Sequence, residues 1–138
     1  MISLLYLSSA TTQFSDSDLV NLLAEARKNN TQLDISGMLL YHDGNFLQVL
    51  EGPDDQVRHL FEKISGDERH QSVVKLIDRP IAERQFGEWS MAFRTTADAG
   101  LDTFEGYSNF LNNPFSHEVK EHPSAAYQFL LAFRESAR

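Results

Sequence analysis

Short apolar runs of strand length and stretches with helical recurrence take turns along this chain. Residues 2–8, ISLLYLS, form the first run. TTQFSDSD breaks it, and Ser15 followed by Asp18 matches a capping box at a helix start. Leu19, Leu22, Leu23 and Ala26 then recur at helical spacing. Arg27 and Lys28 are expected in the last turn, where cations suit the helix dipole, with Asn29 and Asn30 stopping the helix. Residues 35–41 and 45–51 are two apolar runs joined by His42, Asp43 and Gly44, a hairpin pattern. Pro53 suits the first turn of a second helix, in which Val57, Leu60, Phe61 and Ile64 fall at i, i+3, i+4 and i+7 before Gly66 stops it. VVKLI at 73–77 reads as a strand, DRPIAERQFGE as a polar connector, and Trp89 to Arg94 as a last short strand.

The order strand, helix, strand, strand, helix, strand, strand predicts an α+β, ferredoxin-like unit with one additional strand: a five-stranded mixed sheet. Right-handed crossovers place both helices on one face. Strand parity puts Tyr6, Leu39 and Gln48 on one side, and Leu5, Leu7, Met38, Leu40, Leu47 and Val49 on the other. That second side is too apolar to stay wet. Residues 97–138 are expected to cover it with two amphipathic C-terminal helices: Leu101, Phe104, Tyr107, Phe110 and Leu111 have helical spacing, and so do Ala126, Phe129, Leu130 and Phe133. The expected division is therefore a sheet-and-helix domain at 1–96 and a helical cap at 97–138.

Composition narrows the possible chemistry. The chain has 138 residues and no cysteine, which excludes a disulfide scaffold, a thiolate metal site and a cysteine nucleophile. Its formal charge of −8 shows no basic face for nucleic acid or an anionic membrane. No apolar run approaches membrane-spanning length, and the N-terminus lacks the charged region of a signal peptide, so a cytoplasmic protein is expected. His117, Glu118, Glu121 and His122 bring imidazole and carboxylate together, but the histidines are five apart and share no helix face, which favours a solvated connector over a metal site. Ser8 and Ser9 lack a nucleophile setting, and no phosphate-binding glycine loop is present.

Gln48 does not suit a plain core. It sits inside FLQVL on a strand with both faces expected buried, and an unpartnered buried amide costs roughly 1–3 kcal/mol. Tyr6 lies on a compatible face, and a buried phenol also needs a partner. Taken singly, other residues have bland readings: Asn30 as a helix stop, His70 as a surface residue at a turn, Trp89 and Met91 as packing.

Together the pieces resemble the BLUF family of blue-light sensors using flavin, in its short stand-alone form. The resemblance runs from about residue 2 to residue 94 and rests on ISLLYLS with Tyr6, KNN with Asn30, ISGMLLYHDGNFLQVLEG with Gln48, the DERH turn, and WSM with Trp89 and Met91. It implies FAD, with FMN as the alternative, held without covalent attachment between the two helices. It further implies Tyr6 as the redox-active phenol and Gln48 as the amide linking it to flavin. Asn30 would bind the pyrimidine edge, Arg69 and His70 would contribute from the end of the second helix, Asp67 would support that region, and Trp89 and Met91 would act as switch residues. Asn29 stands where some relatives carry His. The implied function is a non-enzymatic photoreceptor signalling to a protein partner or through homo-oligomer assembly. The competing readings are a ferredoxin-like small-ligand regulatory module without photochemistry and a small flavoenzyme.

Overall fold

The structure, a computed structural model, describes residues 1–12, 15–42, 44–87 and 90–93. Within them the order is β1 (Ile2–Ala10), α1 (Asp16–Gln32), β2 (Ser36–His42), β3 (Asn45–Gly52), α2 (Asp54–Ser65), β4 (His70–Pro80) and β5 (Ser90–Phe93). The sheet order is β4-β1-β3-β2-β5, antiparallel except for the β2–β5 pair. The expected C-terminal helices, the His117–His122 cluster and Trp89 lie outside the described residues, and of β5 only the backbone is described.

Local chemistry accounts for most of the element ends. The Ser15 hydroxyl accepts from the Asp18 backbone N–H, and the Asp18 carboxylate accepts from the Ser15 N–H, so the capping box is formed as its spacing implied. Pro53 is the N-cap of α2 and stands just outside the helix, whose first turn carries Asp54 and Asp55 at the positive end of the dipole. Gly66 closes α2 as its C-cap, and Val57 is its fully buried anchor.

Three sequence expectations need correction. First, Asn29 and Asn30 do not stop α1. The helix continues to Gln32 with Leu33 as C-cap, and the left-handed turn comes at Asp34, with φ 58°. Asn30 is only 3% exposed, and Leu33 packs against the core, so burial extends the helix past two residues of low propensity. Arg27 and Lys28 therefore fall short of the last turn, which holds no basic residue. Second, the strand expected at 73–77 spans His70–Pro80. The long β1 offers a backbone edge along its length, and ladder bonds recruit polar flanks that side-chain pattern alone would reject. Register shifts between Leu5 and Tyr6 and between Leu7 and Ser9 absorb the mismatch, and Ser72 takes φ 54° there. Third, Leu7, expected under cover, is 36% exposed.

Pairing Tyr6 with Gln48 and Gln48 with Leu39 puts all three on one face, as parity required. Leu40, Leu47 and Val49, on the opposite face, are at most 2% exposed, so both faces of the central strands are buried. A buried row of side chains on the helix side thus forms a rigid floor, on which the candidate site stands.

Candidate functional site between the two helices and the sheet

A cavity of about 340 Å³ opens over that floor. Tyr6, Leu39, Phe46 and Gln48 line it from the strands. Leu22, Glu25, Ala26, Asn29, Asn30 and Leu33 come from one side of α1 and its cap, at the helical repeat that places i, i+3, i+4 and i+7 together. His59, Leu60, Lys63, Ile64, Asp67, Arg69 and His70 come from α2 and the turn after it. Apolar side chains from all three sides are interleaved with many polar and charged ones, a lining that suits a ligand with both apolar surface and polar edges.

At its floor the Tyr6 hydroxyl donates to Gln48 Oε1, and both side chains are buried. Burial pushes the Tyr6 phenol far above the ordinary tyrosine range, and the Asp67 carboxylate adds to that direction. The hydroxyl therefore keeps its proton and must be the donor, which fixes the amide oxygen as acceptor. The amide nitrogen of Gln48 is left for a partner other than Tyr6. The ring of Tyr6 packs against Phe61 at 5.5 Å between centroids and edge-on to His70 at 6.2 Å, which holds the phenol in one orientation.

At the end of α2, Asp67 accepts from the Arg69 guanidinium at 2.7–3.1 Å and from the Arg69 backbone N–H at 2.9 Å. These bonds hold the Asp67 carboxyl below the usual carboxylate range. Glu25 on α1 sits 3.5 Å from the same guanidinium. His70 is the first residue of β4 and only part-exposed, so the expectation of a plain surface residue is corrected: next to the β4 bulge opposite Leu7–Ser9, its ring lies beside Ser8. Its Nε2 donates to the Ile64 carbonyl, and Nδ1 faces the Ser8 hydroxyl at 3.1 Å. Both ring nitrogens are thus engaged within the protein, and His70 offers the cavity its ring.

The structure brings Tyr6, Asn30, Gln48, Asp67, Arg69 and His70 to one cavity. It places the Met91 backbone opposite Leu39, so that Tyr6, Gln48, Leu39 and Met91 form one row across four strands. Glu25, Asn29, His59 and Lys63 also line the cavity, though sequence reasoning did not select them. Their signal was the helical repeat itself: each stands beside, or one turn from, an apolar residue already placed on the inner face.

A family model described as "BLUF: Sensors of blue-light using FAD" matches residues 1–92. The chain belongs to the BLUF family. A flavin, FAD or FMN, is accordingly its cofactor, and the slot between the helices of this BLUF chain suits one: apolar walls, with Asn30 and Gln48 as buried amides lining it. Photoactivated adenylate cyclase subunit beta of Euglena longa is 42% identical over 136 residues, which cover 96% of this chain and 16% of that protein. The blue light- and temperature-regulated antirepressor BluF of Escherichia coli (strain K12) is 31% identical over 91 residues, 66% of this chain and 23% of that protein. The solved structure of BlsA in its photo-activated state superposes with a TM-score of 0.65 at 32% identity, covering 99% of this chain and 96% of that one. The chain therefore spans only a small part of the curated relatives it matches. No described helix is long and apolar enough to cross a membrane.

Proposed function

We propose that this BLUF chain senses blue light through the Tyr6–Gln48 pair and passes the change to a protein partner or a second copy by way of its last strand and C-terminal segment. The observation that carries this reading is the buried hydrogen bond from the Tyr6 hydroxyl to Gln48 Oε1 on the floor of the cavity. A bound flavin supplies the light absorption and, when excited, an electron acceptor. Among the described residues lining the cavity, Tyr6 is the oxidisable phenol. Loss of an electron makes a phenol strongly acidic, so its proton passes along the existing bond to Gln48 Oε1. Return of the electron and proton restores Tyr6, while the amide settles in a different rotamer or tautomer. Because Gln48 is buried, every new arrangement must find new partners, and an altered partner set is what distinguishes the lit state.

The same reading gives Asn30 the role of holding the polar edge of the flavin ring system, with Asp67 orienting Arg69 at the other end and His70 packing against Tyr6. Trp89 and Met91 act as switch residues at the sheet edge. Met91 is well placed for this because its backbone shares the row of Gln48. In this reading residues 1–96 are the sensor and 97–138 the output segment, and the chain itself performs no catalysis.

A light-minus-dark absorbance spectrum of the purified yellow protein tests the proposal. Wild type should show a reversible red shift. Tyr6→Phe and Gln48→Leu should bind flavin without it. A normal red shift in Tyr6→Phe would remove the phenol from the mechanism.

A further inference from the structure

Glu51 stands three residues after Gln48 on β3, so strand alternation puts it on the opposite face, in the row formed by Ser3, Glu51 and Ser36. Its side chain lies outside the cavity, yet it is 1% exposed. The carboxylate accepts from the backbone N–H of Gln85 at 2.9 and 3.1 Å and from that of Phe86 at 2.7 Å. One residue earlier in the same segment, Arg84 donates to Ser36 Oγ at 2.7 Å, to the Glu51 carbonyl at 2.8 Å and to the Asp34 carbonyl at 2.7 Å. Phe86 is buried beside them. Bonds with one ionised member are roughly twice as strong as neutral ones, and here two ionised side chains act on three consecutive residues of a segment without regular secondary structure.

The segment leads into β5, which among the described residues pairs with β2 through Ser90, Met91, Ala92 and Phe93. Ser36, an acceptor for Arg84, is the first residue of that same β2, and Glu51 is on the strand that carries Gln48. We infer that Arg84 and Glu51 are positioning residues for β5. They fasten its entrance to the ends of β2 and β3, so that a rearrangement in the row of Tyr6, Gln48, Leu39 and Met91 displaces the exit of β5 and not its entrance. Without the fastening, the four-residue strand would slide or fray as a whole, and the photochemical change would dissipate in the connector. Glu51 and Arg84 differ in this from Tyr6 and Gln48: they touch no chromophore and act only through the strand they hold. The coupling to light rests on the sensor reading above; the fastening of β5 does not.

The experiment uses the full chain with bound flavin and compares wild type with Arg84→Gln, Glu51→Gln and Arg84→Lys. Flavin content and the size of the red shift should stay at wild-type levels in all of them. Dark recovery should change by roughly 3- to 30-fold in Arg84→Gln and Glu51→Gln, the range expected when a coupling element is perturbed. Amide hydrogen exchange over residues 84–93 in darkness should rise by roughly tenfold or more as local opening becomes easier. Arg84→Lys, which keeps the charge and part of the donor set, should restore recovery part of the way. Lowered melting temperature with wild-type recovery and wild-type exchange over 90–93 would overturn the inference, since a merely structural role predicts that pattern. If Glu51→Gln does not fold, Arg84→Gln and Ser36→Ala carry the same measurements. If wild type shows no red shift, the sensor reading falls, and exchange in darkness alone decides whether these two residues hold β5.

Discussion

The Tyr6–Gln48 bond can be weighed without light, through a double-mutant cycle in the flavin-free protein. Tyr6→Phe removes one hydroxyl and leaves Gln48 Oε1, on a residue 5% exposed, without its donor. Stranding a buried acceptor costs about 1–3 kcal/mol, more than the bond itself contributes, because the lost partner is not replaced by water. Gln48→Leu strands the phenol in the same way. The double variant, in which neither group is left behind, should then be more stable than the sum of the two single losses suggests, with an interaction free energy of about 1–2 kcal/mol. Urea unfolding of the four proteins at pH 7, followed by tyrosine and tryptophan fluorescence and by circular dichroism, gives the four stabilities. An interaction free energy within about 0.3 kcal/mol of zero, the scatter of independent sites, would refute the claim that the two groups answer each other in the core.

Three other outcomes follow from single features. The folded-state pKa of Tyr6 lies above its unfolded value, so its contribution is complete below about pH 10 and is lost as pH rises beyond it; wild type should lose stability in alkali more steeply than Tyr6→Phe in parallel denaturant titrations, and equal slopes would contradict this. Gly52→Ala would set a Cβ 2.7 Å from the Asp34 carbonyl oxygen, in backbone that has little room to retreat, and should cost about 1–3 kcal/mol in thermal unfolding, with a loss below about 0.5 kcal/mol counting against so tight an approach. Ser15→Ala should cost about 0.5–2 kcal/mol through loss of the α1 cap, and because Ser15 holds the Asp18 carboxyl below its ordinary range, the wild-type advantage should shrink as pH falls through the carboxylate range.

Features set by near neighbours are legible in the chain itself. The Ser15–Asp18 box, the Val57 to Ile64 stripe and the hairpin after Tyr41 depend on spacing over a few residues, and parity alone puts Tyr6 and Gln48 on one face. What is not legible depends on partners far along the chain. Asn30 reads as a stop because its propensity is low, and only burial against the cavity keeps it helical. His70 reads as a turn residue because nothing nearby announces the pairing with β1, or the bulge in β4, that leaves it beside Ser8. Arg84 and Glu51 sit in a polar stretch and at a strand end, thirty-odd residues apart, and a carboxylate facing away from the cavity gives no periodic signal. The polar residues lining the cavity from α2, His59 and Lys63, are neighbours of apolar ones, and pattern reading assigns such residues to solvent.

Among the described residues the two margins of the sheet are unequal: eleven residues run along one side and four along the other. Thermal rupture must favour the lighter margin, whatever happens in the chromophore slot. In the proposed reading, spurious signalling at night follows how often the Ser90–Phe93 pairs come apart, so a variant there should be quieter or leakier without a change of colour.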